Sequence, residues 1–235
     1  RLRQGWPFTT PVPRPPPRRS DGTPWPRISV ILPSYQQAVF LEEALRSILA
    51  QGYPNLEVLV YDGGSHDDSG VILARYAEHL AHCERGPDRG QAHALNKGFA
   101  RATGSIIAWL NSDDVYEPGA LLAVAEALRP ERGVRALFGD CRVIDAQSHP
   151  QPAISRRRRP IALADWVAWW ADFPAMQPAI FLSAEILADV RRPDGTILDE
   201  RLRYAFDYDL WLRLSARHLF HPLPRFLASF RRHRS

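Results

Sequence analysis

From Arg27 onward the chain alternates short apolar runs with amphipathic stretches. Ile28–Leu32 has strand length, and over Val39–Gln51 the residues Leu41, Leu45, Ile48 and Leu49 recur at helical spacing. Leu56–Tyr61 reads as a second strand, Ser65–Asp68 as a capping box opening a helix to about His79, and Leu80–Glu84 as a short strand. A helix is expected over Gln91–Ala102, with Leu95, Phe99 and Ala102 on one stripe. Ser105–Leu110 is another buried strand, and Pro118 marks the first turn of a helix to Leu128. Continuous apolar strands separated by helices form a mostly parallel sheet covered on both faces, so the fold class is α/β. Later elements are less regular. They are a strand over Arg135–Val143, a helix over Ile161–Trp170, a strand-like Gln177–Leu182, a helix over Tyr208–Arg217 and an extended Leu223–Phe230.

With 235 residues, 45% apolar and 24% charged, the chain has the balance of one large globular domain. No apolar run approaches the roughly 18–20 residues that span a bilayer. Residues 1–26 hold eight prolines, which fix φ and remove donors, and read as an extended linker ahead of a single domain over 27–235. That domain divides into halves at 27–130 and 131–235. The net charge of +4 is concentrated at the start, since residues 1–27 carry six arginines against Asp21. The remainder is close to neutral, which argues against a nucleic-acid partner. Cys83 and Cys141 have neither metal spacing nor a disulfide framework, so a reducing, cytoplasmic compartment is expected. The chain begins at Arg1 without Met, and its first residues say little about targeting.

In a parallel sheet with helical crossovers the strand C-termini share one edge, and ligands bind there. Pro33-Ser34-Tyr35 follows the first strand, Asp62-Gly63-Gly64-Ser65 the second, and Asn111-Ser112-Asp113-Asp114 the strand at 105–110. Small polar and acidic residues from distant positions thus converge on one rim. Residues 33–39 lack the glycines of a dinucleotide-binding turn, and no Gly-Lys-Ser/Thr, HExxH, GxSxG or zinc-spaced set occurs. The rim suits Mg²⁺ or Mn²⁺ holding a diphosphate, because such ions take one or two protein carboxylates and fill their shell with phosphate and water.

The motifs Ile28-Ser-Val-Ile-Leu-Pro-Ser-Tyr35, Tyr61-Asp-Gly-Gly-Ser65, Asp88-Arg-Gly-Gln91 through Asn96-Lys-Gly98 and Trp109-Leu-Asn-Ser-Asp-Asp114 stand in this order. Gln177-Pro178, Asp207-Tyr-Asp-Leu-Trp-Leu-Arg213 and Phe230-Arg-Arg-His233 follow, and Gly5-Trp6-Pro7 leads in. Together they resemble the family-2 glycosyltransferases of the GT-A fold over about residues 27–235, with a Rossmann-like nucleotide-binding first half. The resemblance implies that Pro33, Ser34 and Tyr35 line a base and ribose pocket, and that Asp62 accepts a hydrogen bond from the base. Gly63, Asp88, Gly90, Gln91, Lys97, Asn111, Ser112 and Asp113 complete the nucleotide-sugar set. Asp113, Asp114 and His233 are implied for a divalent cation, Mn²⁺ or Mg²⁺.

Asp207 is the implied general base, and Gln177, Pro178, Asp209, Trp211 and Arg231 are placed on the acceptor side. In a helix Asp209 faces nearly opposite to Asp207, so only one of them can face the sugar. The reaction implied is an inverting transfer from a nucleotide-sugar, a UDP-sugar first, to a glycan or lipid-linked hydroxyl in envelope or exopolysaccharide synthesis. Asn111 replaces an Asp frequent in the family, Gln36 an Asn and His66 a Thr. No Gln-x-x-Arg-Trp occurs, against processive synthesis. The rival readings are a catalytically silent sugar-nucleotide-binding module and a nucleotidyltransferase. Arg156–Arg159 ahead of Trp166, Trp169 and Trp170 allows peripheral contact with the inner membrane face, against a solvated loop beside core tryptophans.

Overall fold

The computed structural model describes residues 7–8, 15–169 and 174–233. Gly5-Trp6 and Trp170 lie outside them. Strands β1 (Ile28–Ser34), β2 (Leu56–Asp62), β3 (His82–Arg85) and β4 (Ile106–Trp109) pair in parallel, with β1 between β2 and β4. The sheet continues through β5 (Val115–Tyr116), β6 (Ala136–Ile144), β7 (Pro150–Ser155), β8 (Ile180–Ser183) and β9 (Phe220–Arg231). Its order is β3-β2-β1-β4-β8-β6-β9-β5, with β7 paired to β6.

Alternation along the strands feeds two cores. Val30, Leu32, Val58 and Val60 face α1 (Ala38–Leu49), α2 (Ser69–Tyr76) and α4 (Ala120–Ala127). Ile31, Leu59, Tyr61 and Trp109 face α3 (Gln91–Arg101), α5 (Leu163–Val167), α6 (Ala184–Ala188) and α7 (Phe206–Ser215). Helices therefore cover both faces, as the continuous apolar strands require.

The expected, mostly parallel pattern is unbroken from β3 to β4. Strand β8 runs antiparallel to both β4 and β6, whereas β6 and β9 are parallel again. Gln177, in the 3₁₀ turn leading into β8, donates to the carbonyl of Trp109 at the end of β4, 3.0 Å away. Strand β8 thus starts from the C-terminal rim and must run back against β4. The division at residue 130 is not a seam either, because β5 from the first half pairs with β9 from the second.

The linker reading fails for the described part of the opening segment. Ser20 donates from its amide and hydroxyl to Glu126, Asp21 pairs with Arg129 at 2.5 Å, and the Trp25 ring is buried in the core of α1 and α4. Ser65 does not cap α2; it closes the turn after β2, and the helix starts at Ser69. Pro118 sits outside α4, which begins after Gly119 at φ 73°. Among the described residues no helix is long and apolar enough to cross a membrane.

Candidate active site

The ends of β1, β2 and β4 frame a cleft of about 630 Å³. Pro33, Ser34 and Tyr35 form one wall, Gly63, Asp88, Gly90 and Gln91 another, and Asn111, Ser112 and Asp113 the floor at the end of β4. Ser34 is buried, and its Oγ has no partner among the described residues. Gly90 has φ 109°, open only to glycine, and starts α3 at the cleft wall. Gln91 donates to Oδ1 of Asn111 at 2.7 Å, tying the start of α3 to the acidic loop.

The two carboxylates near the β2 end differ sharply. Asp62 has a fully enclosed side chain that accepts from the Ser65 hydroxyl, from the Ser65 amide at 3.2 Å and from Arg85 Nε at 3.3 Å. Asp88 lines the cleft; its Oδ1 accepts the Gly90 amide at 2.8 Å. Its Oδ2 lies 3.0 Å from where a Cβ on Gly63 would stand.

The acidic loop is divided in the same way. Asp113 lines the cleft, and its Oδ2 is 3.0 Å from Nε2 of His233. Asp114 is wholly buried; Oδ1 accepts the Arg231 amide at 2.8 Å, and Oδ2 has no partner among the described residues. Burial and the neighbouring Asp113 charge push its carboxyl well above the usual range. Asp207, in the first turn of α7, is half-buried, and burial pushes its carboxyl up. No ion pair to it occurs among the described residues. Asp209 is instead neutralised by Arg213 at 2.8 Å.

A sequence model described as Glycosyl transferase family 2 matches residues 29–165. The chain belongs to that family. It is 28% identical over 195 residues to an uncharacterized glycosyltransferase of Rickettsia prowazekii, covering 80% of this chain and 58% of that protein. Over 105 residues it is 35% identical to the putative teichuronic acid biosynthesis glycosyltransferase TuaG of Bacillus subtilis, covering 42% of this chain and 41% of that protein. The chain thus spans little more than half of the Rickettsia relative. Among solved structures, S. aureus TarS 1-349 in complex with UDP-GlcNAc superposes with TM-score 0.70 at 18% identity, over 89% of this chain and 59% of that one. The mannosyltransferase PcManGT from Pyrobaculum calidifontis, in complex with GDP-Man and Mn²⁺, gives TM-score 0.63 at 22% identity, over 94% and 60%. These likenesses show the GT-A fold.

Within this family-2 chain the cleft gathers Pro33, Ser34, Tyr35, Gly63, Asp88, Gly90, Gln91, Asn111, Ser112 and Asp113. Other residues expected at the site lie elsewhere. Asp62 does not line the cleft; its side chain is enclosed in its own turn by Ser65 and Arg85. Lys97 pairs with Glu84 at 2.6 Å and lies over the Tyr61 ring, because two helical turns carry it away from the start of α3. Asp114 and Arg231 are interior. Trp211 stacks on Trp109 at 5.2 Å and 10°, and is core rather than acceptor surface. Asp209 is held by Arg213, and Pro178 is buried beneath Gln177 in the turn before β8.

Gln36, expected to bear on the donor, sits at φ 54° and turns its Oε1 to the His66 amide. Asn adopts this left-handed conformation more readily than Gln. Arg156 and Arg158 pair with Asp140, and Arg157 and Arg159 with Asp165, while Trp166 is core. Trp169, by contrast, is exposed. Arg203 is a cleft residue that the sequence reading missed, and it is the only cation lining the cleft among the described residues. Its signal was position alone, an arginine four residues before Asp207.

Proposed function

We propose that the chain transfers a sugar, with inversion, from a nucleoside diphosphate sugar to a hydroxyl acceptor. The carrying observation is the cleft itself. It has a carboxylate with a free oxygen at one end, Asp113 beside His233 at the other, and a helix N-terminus between them. A nucleobase ring N–H is matched by Asp88, ribose and base stack along Pro33–Tyr35, and the unpartnered Ser34 hydroxyl receives a hydrogen bond from the ligand. The start of α3 and Arg203 favour the diphosphate.

A divalent cation fits this arrangement. One carboxylate and one imidazole are donors that Mn²⁺ or Mg²⁺ accept when phosphate and water supply the rest. Asp113 and His233 would hold it; Asp114 cannot, being enclosed. Among the described residues no three His, Cys, Asp or Glu side chains converge, so the protein's share is this pair. The ion supplies charge neutralisation of the leaving diphosphate.

Asp207 serves as general base. It takes the acceptor hydroxyl proton while the acceptor oxygen bonds to the anomeric carbon and the sugar–phosphate bond breaks, which inverts that carbon. A base raised by burial holds a proton more strongly once it has taken it. The likeness to TuaG supports an envelope glycan as the acceptor class, and the TarS and PcManGT complexes support a UDP- or GDP-linked donor. Thermal-shift and calorimetric titration with UDP, GDP, CDP and ADP, with and without MnCl₂, tests the reading. A metal-dependent rise with UDP or GDP is expected, and indifference to every nucleotide overturns it.

A further inference from the structure

Arg231 is a buried guanidinium whose donors all point at backbone or side-chain oxygens of distant segments. Its side chain has no exposure. Nε donates to the carbonyl of Asp113 at 2.6 Å, and Nη1 to the Asp145 carbonyl at 3.0 Å and the Ser148 hydroxyl at 2.9 Å. Nη2 donates to Oε2 of Glu43 at 3.0 Å, and the Arg231 amide holds Asp114. The guanidinium also lies over the Phe40 ring, 4.8 Å from its centroid, and the same ring packs at 4.7 Å against His233.

Two features make this more than core packing. Glu43 is an acid on the buried face of α1, and Ser148 donates to both its oxygens, at 2.7 and 3.0 Å. Ser148 does so from φ 67°, a conformation that costs a side-chain-bearing residue energy and persists only where its surroundings hold it. Desolvating such an ion pair is expensive, and an apolar replacement of equal volume is often no less stable. What an apolar cluster could not supply is a rigid fork of donors aimed at a chosen carbonyl.

We infer that Arg231, held by Glu43 and Ser148, is a positioning residue. It fixes the Asp113 backbone so that the Asp113 carboxylate meets His233, thereby coupling docking of the end of β9 to capture of the diphosphate. The inference rests on the proposed use of Asp113 and His233. Coupling is reciprocal, so whatever binds Asp113 and His233 also tightens the end of β9.

The test uses the full chain with Ser148→Gly, which keeps the backbone conformation without the hydroxyl, and Glu43→Gln, which keeps the shape without the charge. Without any ligand, hydrogen exchange at residues 111–114 is expected to quicken in both variants, with β2 amides unchanged. With UDP, the Mn²⁺ concentration giving half-maximal binding should rise on the order of tenfold, the loss expected for a hydrogen bond to a charged group. Affinity for uridine, which lacks the diphosphate, should not move. Unchanged exchange at 111–114, or a fall in Tm with the Mn²⁺ midpoint left in place, makes Arg231 a merely structural residue and overturns the inference. Failure of the wild type to bind UDP with Mn²⁺ sinks the functional reading instead and leaves the exchange result to decide this one.

Discussion

Gly63 and Asp88 share one space: a Cβ on Gly63 would stand 3.0 Å from Oδ2 of Asp88 and 3.2 Å from its Cγ. The absence of a side chain at the end of β2 lets a carboxylate from the loop before α3 reach the cleft. Asp88→Asn replaces an acceptor-only group with one that also donates. UDP affinity is expected to fall roughly tenfold or more while CDP, whose ring nitrogen accepts, loses less. Gly63→Ala should displace Asp88 and weaken UDP in the same direction. Competitive calorimetry with the two nucleotides measures the ratio, and an unchanged UDP:CDP ratio in Asp88→Asn excludes base reading by this residue.

Asp207→Asn should abolish turnover by about 10²–10⁴-fold while leaving UDP binding intact, the range expected for losing a positioned proton acceptor. Its Tm should be no lower than that of the wild type, because a desolvated charge is removed.

The pH profile follows from the same group. Burial disfavours the charged form, so the carboxyl holds its proton to a higher pH than a free aspartate, and the reactive species is the deprotonated one. The acid limb of kcat/KM is therefore expected above the ordinary aspartate range, with activity rising as pH rises through it. A limb at the ordinary carboxylate position, persisting in Asp207→Glu, would remove Asp207 from the role.

Asp113→Asn and His233→Ala should each raise the Mn²⁺ needed for UDP binding, whereas Asp114→Asn should not change the Mn²⁺ requirement. Asn keeps the Oδ1 that accepts the Arg231 amide and removes a carboxylate that burial disfavours, so the Tm of this variant should be no lower than that of the wild type. Isothermal titration at graded MnCl₂ separates the three, and equal metal defects in all of them would contradict the division of labour between the adjacent aspartates.

Gly98→Ala in α3 sets two effects against each other. Alanine gains about 1 kcal/mol of helix propensity. The added Cβ would stand 2.4 Å from Cγ2 of Ile31, a fully buried residue with no room to move. Overpacking costs about 1–3 kcal/mol and should win, lowering Tm by a few degrees in chemical and thermal melts.

Much of the first half was legible because periodicity is local. Ile28–Leu32, Leu56–Tyr61 and the helix over Gln91–Ala102 follow from side-chain spacing that any position of the chain must obey. The polar rim followed too, since parallel crossovers force strand ends together. The reversal at β8, the pairing of β5 with β9 and the docking of residues 15–26 were not legible. Each depends on partners far away in the sequence, such as Ser183 for Ile106 and Ser229 for Val115, and short strands such as Val115–Tyr116 carry no periodicity of their own.

Residue types and their order, set by the sequence alone, determined the α/β class, the strand-end location of the site and its acidic, phosphate-compatible chemistry. Tertiary structure alone decided which member of each acidic pair faces the cleft. Asp88 rather than Asp62, and Asp113 rather than Asp114, line it, and Asp207 rather than Asp209 is left unpaired. Neighbouring carboxylates are chemically identical in sequence. They diverge only when one is tied to Ser65 and Arg85, to the end of β9 or to Arg213, and the other is left with a free oxygen.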